Sequence, residues 1–210
     1  MAVLEELCEI VQKGKAKEVV VLVQQAIDEG FTAQQILDDG LLKGMGELGV
    51  RFKNNEVFVP EVLIAARALN QGSALLKEKM VEEGVEPLGC VVLATVAGDL
   101  HDIGKNLVRM MLEGAGFNVI DLGIDVSADK IVEAIKEHHP DLIALSALLT
   151  TTMAQQAAII EAINAAGLRD SVKILVGGAP ITQSFADEIG ADFYAPDASS
   201  AADVAKSVVQ

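Results

Sequence analysis

Residues 90–106 read CVVLATVAGDLHDIGKN: an apolar run, a small-residue turn, and a polar segment that leads into helical spacing. A short run of this kind, rich in β-branched residues, predicts a strand buried on both faces, as in a parallel sheet. In α/β proteins the turn after such a strand usually supplies glycines and backbone amides that cradle phosphate. Here it supplies His101, with Asp99 before it and Asp102 after it. A histidine so placed can donate one ring proton to Asp99 and keep its other nitrogen free for a metal. One histidine does not hold a bare zinc ion, and His138 and His139 fall at the end of a predicted helix beside Pro140, remote from this edge. Most ligands of any metal here must come from elsewhere, as in a macrocycle.

Outward from this stretch, the chain beyond Pro87 alternates short β-branched runs with helix-length segments. Strands are predicted near Cys90–Val96, Phe117–Asp121, Leu142–Ser146, Lys173–Val176 and Asp192–Tyr194. Five parallel strands covered on both faces make residues 87–210 a doubly wound, Rossmann-like α/β domain. Ligands of such domains bind beyond the carboxyl ends of the strands. Three more features lie at that edge: SALLTTT (Ser146–Thr152), GGAP (Gly177–Pro180) and APDASS (Ala195–Ser200). Each alone reads as a tight turn or a helix cap; together they converge on His101.

Residues 1–86 have a different period. Apolar residues recur at helical spacing around Leu4–Val11, Val19–Ile27, Ile36–Leu42 and Val62–Leu69, which predicts a four-helix bundle. Gly14, Gly30 and Asn54-Asn55 mark its turns, Thr32 with Gln35 forms a capping box, and Pro60 suits a first helical turn.

The formal net charge is −15, and acidic residues outnumber basic ones 15 to 9 through Glu86 and 16 to 7 beyond it. Neither half could neutralise phosphates, so nucleic acid is excluded as a partner. Aromatic content of 3% removes stacking platforms for single strands. Apolar runs such as Leu142–Leu149 are too short to span a membrane, and no cationic segment leads into an apolar one at the N-terminus. The expectation is a cytoplasmic protein without membrane contact. Its two cysteines, Cys8 and Cys90, lack metal-ligand spacing and read as small buried hydrophobes.

Asp99-Leu-His101-Asp-Ile-Gly104, followed by Ser146-x-Leu148 and then Gly177-Gly178, resembles the cobalamin-binding module of methionine synthase and its relatives. The N-terminal helices, with MGELGVRF and EVFVPEVLIAARAL, resemble the helical cap that precedes that module there and in the stand-alone corrinoid proteins of methanogens and acetogens. The resemblance covers nearly the whole chain. It implies a cobalamin or related corrinoid whose benzimidazole tail leaves cobalt for a slot in the α/β domain, with His101 as lower axial ligand. Asp99 would take the histidine proton, and Thr152 stands where the family has a serine hydroxyl bonded to that aspartate. Gly98, Asp102 and Leu148 would adjoin the cofactor. Gly104, Gly177 and Gly178 would let backbone approach the tail, with Ser146, Thr150 and Ala198 lining the slot. Phe58 and Glu47 are the candidates to cover the upper corrin face, and a hinge is expected near Gly84–Pro87.

The resemblance further implies a non-catalytic, methyl-carrying subunit of a multi-component methyltransferase, cycling cob(I)alamin and methylcob(III)alamin. His101 would bond in the methylated state and detach on demethylation. Expected partners are a substrate-specific methyltransferase, a second methyltransferase that passes the methyl group to tetrahydrofolate or coenzyme M, and a reductive activating protein. The alternatives are a cobalamin-dependent regulator or sensor, for which no basic helix-turn-helix is evident, a mutase small subunit, which lacks the preceding cap, and a flavodoxin-like module without corrinoid.

Overall fold

In the computed structural model, which describes residues 2–209, α1 (Ala2–Gln12) buries Val3, Leu4, Leu7, Cys8, Ile10 and Val11. α2 (Ala16–Asp28) packs against it through Val19, Leu22, Val23 and Ala26. Thr32 then opens a new helical run: its hydroxyl accepts from the Gln35 N–H at 3.1 Å, and Gln35 Oε1 accepts from the Thr32 N–H at 3.0 Å. The run passes without a break from α3 (Ala33–Gln35) through a π-helical stretch, Ile36–Leu42, into α4 (Lys43–Lys53). The π turn has a sequence correlate. Ile36 and Leu41 are five apart, and both are fully buried. Gly44 lets α4 close on α1, because a Cβ there would lie 2.6 Å from the Cys8 carbonyl oxygen. α5 (Val59–Glu83) carries Pro60 in its first turn and ends at Gly84, whose φ of +65° allows a left-handed cap. Four continuous helical runs thus build this unit, the third with a wider turn inside it.

The second unit is a five-stranded parallel sheet in the order β2-β1-β3-β4-β5. Its strands are β1 (Cys90–Thr95), β2 (Asn118–Asp121), β3 (Leu142–Ser146), β4 (Lys173–Gly177) and β5 (Phe193–Ala195). β1 ends one residue before the predicted Val96, which instead forms an isolated bridge with Val126. β5 starts one residue late because the Asp192 carboxylate accepts the Ile174 N–H at 2.8 Å and pairs with Arg169 at 2.8 Å. The helices are α6 (Ile103–Glu113), α7 (Ala128–His138), α8 (Ala154–Ala165), α9 (Gln183–Ile189) and α10 (Ala198–Val209). Val92, Ala94, Ile143, Leu145, Ile174 and Val176 face Ile131, Ile135, Ile159, Ile160 and Ile163 of α7 and α8. The alternate strand residues face the opposite way, where α6 and α10 pack together and α6 meets β1 and β2. This is a doubly wound sheet, and in its order the direction of winding reverses between β1 and β3, the place where such sheets open a ligand crevice.

By contacts the chain divides between Pro87 and Leu88, with Gly114–Gly116 grouping with the first unit. Among the described residues no helix is long and apolar enough to cross a membrane. Cys8 is buried and Cys90 half-buried. Burial pushes both thiols above the usual range, with Glu47 adding at Cys8 and Asp141 at Cys90. The thiolate is the reactive form. Both residues should therefore react with iodoacetamide at pH 8 more slowly than free cysteine, and accelerate as pH climbs past the ordinary thiol value. A rate equal to that of free cysteine at pH 8 would contradict this.

Candidate functional site

The loop between β1 and α6 leaves the sheet through a bond from the Asp99 N–H to the Val96 carbonyl (3.2 Å) and is tied to the neighbouring strand by the Val96 N–H on the Ser146 carbonyl (3.1 Å). The buried Thr95 hydroxyl donates to the His101 carbonyl at 3.0 Å. These bonds bring the Asp99 carboxylate inward, where it is fully buried. One of its oxygens accepts from His101 Nδ1 (2.7 Å) and the His101 N–H (3.1 Å). The other accepts from the Leu148 N–H (2.8 Å) and the Thr152 hydroxyl (2.8 Å). Burial is the strongest single influence on this carboxyl and opposes ionisation. The bonds from Leu148, Thr152 and His101 outweigh it and hold the group well below the usual carboxylate range.

An ionised carboxylate only accepts hydrogen bonds, so Nδ1 of His101 carries a proton and Nε2 is left as the ring's acceptor nitrogen. The imidazole is half exposed, at 51%. Leu100 and Ile103 on the same loop and helix, Leu148 and Leu149 after β3, and Ile124 after β2 are all exposed large apolar residues. Leu100 and Ile103 flank His101 in sequence, the Leu148 N–H bonds the Asp99 carboxylate, and Leu149 and Ile124 adjoin residues bonded to Asp99; exposed apolar side chains gathered this way mark a binding surface. Among the described residues, no three His, Cys, Asp or Glu side chains form a metal-ligand set. A single histidine on a loop flanked by exposed apolar residues would suit a metal that brings most of its own ligands.

The other residues singled out by sequence fall as follows. Asp102 does not touch the imidazole: its carboxylate accepts from Asn106 Nδ2 at 3.1 Å in the first turn of α6. The two flanking acids therefore differ in role, and only Asp99 holds the ring. Gly98, Leu148 and Thr152 join the Asp99 cluster. Ser146 is half-buried at the end of β3, Thr150 is exposed on the next loop, and Ala198 is buried at the start of α10, all at the carboxyl edge of the sheet. Gly104 has open space where a Cβ would stand, whereas Gly177 and Gly178 lie close to the protein's own backbone. Glu47 and Phe58 belong to the first unit, where Glu47 accepts from Gln12 at 2.7 Å and the exposed Phe58 donates its N–H to Glu61 at 3.1 Å. His138 and His139 end α7 at the amino edge of the sheet.

Sequence reading named Leu148 but missed the rest of the apolar rim, Asp125 and Gln156. The Asp125 carboxylate accepts from the Gly98 N–H at 2.7 Å. The Gln156 amide donates to the carbonyls of Leu145 and Gly177, bridging β3 and β4. Leu100 and Ile103 were legible as apolar residues misplaced in a polar loop; the two polar side chains carry no local signal.

A half-exposed histidine at the winding reversal of a 2-1-3-4-5 sheet, one ring nitrogen held by a buried carboxylate, fits a corrinoid-binding module. The family models agree: two, each described as a B12 binding domain, match residues 89–203 and 3–77, and the chain belongs to this cobalamin-binding family. A dimethylamine corrinoid protein of Methanosarcina barkeri is 44% identical over 207 residues, covering 98% of this chain and 97% of that protein. A solved cobalamin-binding protein of Desulfitobacterium hafniense is 31% identical with a TM-score of 0.81, over 99% of this chain and 98% of that one. A chain of the methanol:cobalamin methyltransferase complex of Methanosarcina barkeri is 29% identical with a TM-score of 0.89, over 99% of this chain and 80% of that one.

Proposed function

We propose that this chain is the methyl-carrying corrinoid subunit of a multi-component methyltransferase, with His101 as the lower axial ligand. The observation that carries the reading is the half-exposed imidazole of His101, its Nδ1 held by the buried Asp99 carboxylate and its loop flanked by exposed apolar residues. Bound cobalamin supplies a cobalt centre able to accept a methyl group and to give it up. The protein's part is to bind, orient and hold a proton. His101 presents Nε2, Asp99 keeps the Nδ1 proton in place, and Leu148 and Thr152 keep Asp99 ionised and aimed. Ser146, Thr150, Gly104 and Ala198 are the residues that would take the nucleotide tail, while Gly177 and Gly178 let the neighbouring loops close on one another. The exposed Leu100, Ile103, Ile124, Leu148 and Leu149 would exclude water from the bound ring.

Relatives that resemble this chain from end to end carry the names of dimethylamine and trimethylamine corrinoid proteins, which supports a methylated amine as the source of the methyl group. The likeness to a chain of a methyltransferase complex supports a methyltransferase as the loading partner. A second methyltransferase that unloads to tetrahydrofolate or coenzyme M, and a reductive activator, complete the system. A net charge of −15 favours pairing with basic partner surfaces.

The test is the absorption spectrum of the chain reconstituted with methylcobalamin, wild type against His101→Ala. Wild type is expected to displace the benzimidazole and show a histidine on cobalt, and the variant to lose that ligation. No uptake by wild type, or unchanged coordination in the variant, would overturn the reading.

A further inference from the structure

We propose that Asp125 is a positioning residue for His101, gripping Asp99 from behind so that its carboxylate stays aimed at the imidazole. The proposal rests on His101 being the ligating residue and goes beyond it to what holds that histidine still.

Asp125 lies in the loop between β2 and α7, and its hydrogen bonds go to the backbone of Gly98 and Asp99 rather than to the imidazole. It meets the backbone on both sides of Asp99. Its carboxylate Oδ1 accepts from the Gly98 N–H at 2.7 Å, and its own N–H donates to the Asp99 carbonyl at 3.1 Å. One side chain and one amide therefore hold the Ala97–Gly98 and Asp99–Leu100 peptide units, on either side of the residue that orients His101. A bond to an ionised acceptor is shorter and stronger than a neutral one.

The clamp is itself anchored. The Gly123 N–H donates to Asp121 Oδ1 at 2.9 Å, and the Gly123 carbonyl accepts from the Thr95 N–H at 3.0 Å. The Val126 N–H donates to the Thr95 carbonyl at 3.1 Å. Asp121 in turn pairs with Lys105 at 2.5 Å, a lysine 3% exposed in the first turn of α6, directly after the histidine loop. The loop carrying Asp125 is thus tied to the strand before the histidine and to the helix after it.

The backbone supplies a second argument. Asp125 has a φ of +53°, in the left-handed region that glycine adopts freely and aspartate only at some cost. An exposed non-glycine residue held there points to a use for its side chain, and the side chain's bond is the one to Gly98.

Two variants separate the roles. Asp125→Gly keeps the left-handed backbone and the amide bond to Asp99 while removing the grip on Gly98. Asp125→Asn keeps an acceptor on a residue that tolerates this conformation. Two readouts are taken on the full chain: proton exchange of the His101 Nδ1–H by NMR without cofactor, and nitrogen splitting in the electron paramagnetic resonance spectrum after reconstitution with cob(II)alamin, with corrinoid uptake and melting measured alongside. Asp125→Gly is expected to keep uptake and melting, to speed Nδ1–H exchange, and to lower the ratio of histidine-bound to unbound cobalt about tenfold, the lower end of what losing a supporting partner costs a metal ligand. Asp125→Asn should stay within about twofold of wild type, since an acceptor remains. Wild-type exchange and splitting in Asp125→Gly would overturn the proposal, as would equal loss of melting and ligation in both variants. A wild-type spectrum without nitrogen splitting would instead overturn ligation by His101, while the exchange measurement still decides whether Asp125 positions the ring.

Discussion

Asp99→Asn is expected to leave the second unit folded while lowering histidine ligation of cobalt by about 10- to 100-fold, the usual loss when the carboxylate behind a metal-bound histidine is removed. Asparagine has nearly the shape of aspartate but only one acceptor oxygen, whereas the structure aims two donors at each oxygen of Asp99. If the amide oxygen stays with Leu148 and Thr152, the NH2 group faces the histidine ring. Nδ1 then becomes the acceptor and the proton moves to Nε2. The nitrogen that should meet the metal is then protonated, the tautomer error that follows an Asp-to-Asn change behind a catalytic histidine. Nitrogen NMR of the cofactor-free variant should show the ring proton on Nε2, and reconstituted protein should lack histidine splitting. Asp99→Ala is the harsher change. It leaves the Leu148 and His101 N–H groups without their acceptor, while the Thr152 hydroxyl keeps the Leu149 carbonyl at 3.1 Å, and should cost about 3 kcal/mol of stability. A wild-type ratio of ligated cobalt in Asp99→Asn would show that the ring orients itself without the carboxylate.

Sequence reading gave the ring proton to Asp99 rather than Asp102, but the physical cause of that difference shows only in the structure. Both flank His101, and nothing in residue type separates them. What separates them is the turn: the Asp99 N–H closes back onto Val96 and drives that carboxylate beneath the loop, while Asp102 already faces the first turn of α6 and Asn106. Strand identities were legible because a buried parallel strand needs an uninterrupted apolar run, which Cys90–Thr95 and Leu142–Ser146 supply. The order of those strands leaves no such mark, since it follows from which crossover packs against which face. It is nevertheless what brings the loops after β1 and β3 together, so that Leu148 can reach an aspartate 49 positions earlier. Asp125 lay still deeper. A single aspartate between Ile124 and Val126 resembles any solvated loop residue until its left-handed backbone and its bond to Gly98 are seen. In the helical unit the five-residue interval from Ile36 to Leu41 was on the page, but spacing near four is so common that a π turn shows only in the backbone.

The glycines give the last contrast, because sequence assigns Gly104, Gly177 and Gly178 one purpose and the structure divides them. A Cβ on Gly178 would stand 1.8 Å from the Ala147 carbonyl oxygen and 2.7 Å from its carbon, at a φ of +126°. Both obstacles are backbone, so no side-chain rotation relieves them. Gly177 is tighter than usual too, at 3.1 Å from the Ala195 carbonyl oxygen. Gly178→Ala must therefore push away the loop that begins at Ala147, and the next residue, Leu148, supplies an N–H to Asp99. Overlap and left-handed strain together should remove about 4 kcal/mol or more, the range kept for severe backbone conflicts. The variant is expected to melt early or fail to fold, and to lose the Leu148 bond in any folded fraction. Gly104→Ala should behave oppositely. No atom lies within 4 Å of its added Cβ, and it sits in the first turn of α6, where alanine is the better helix former by up to about 1 kcal/mol. Melting should hold or rise, while corrinoid uptake falls if the open space at Gly104 is where the ligand approaches. Measuring melting and uptake on the two variants side by side separates a glycine required by the fold from one required by the ligand. A Gly178→Ala protein with wild-type melting would show that the Ala147 loop moves freely, and the account of how Asp99 is held would have to change with it.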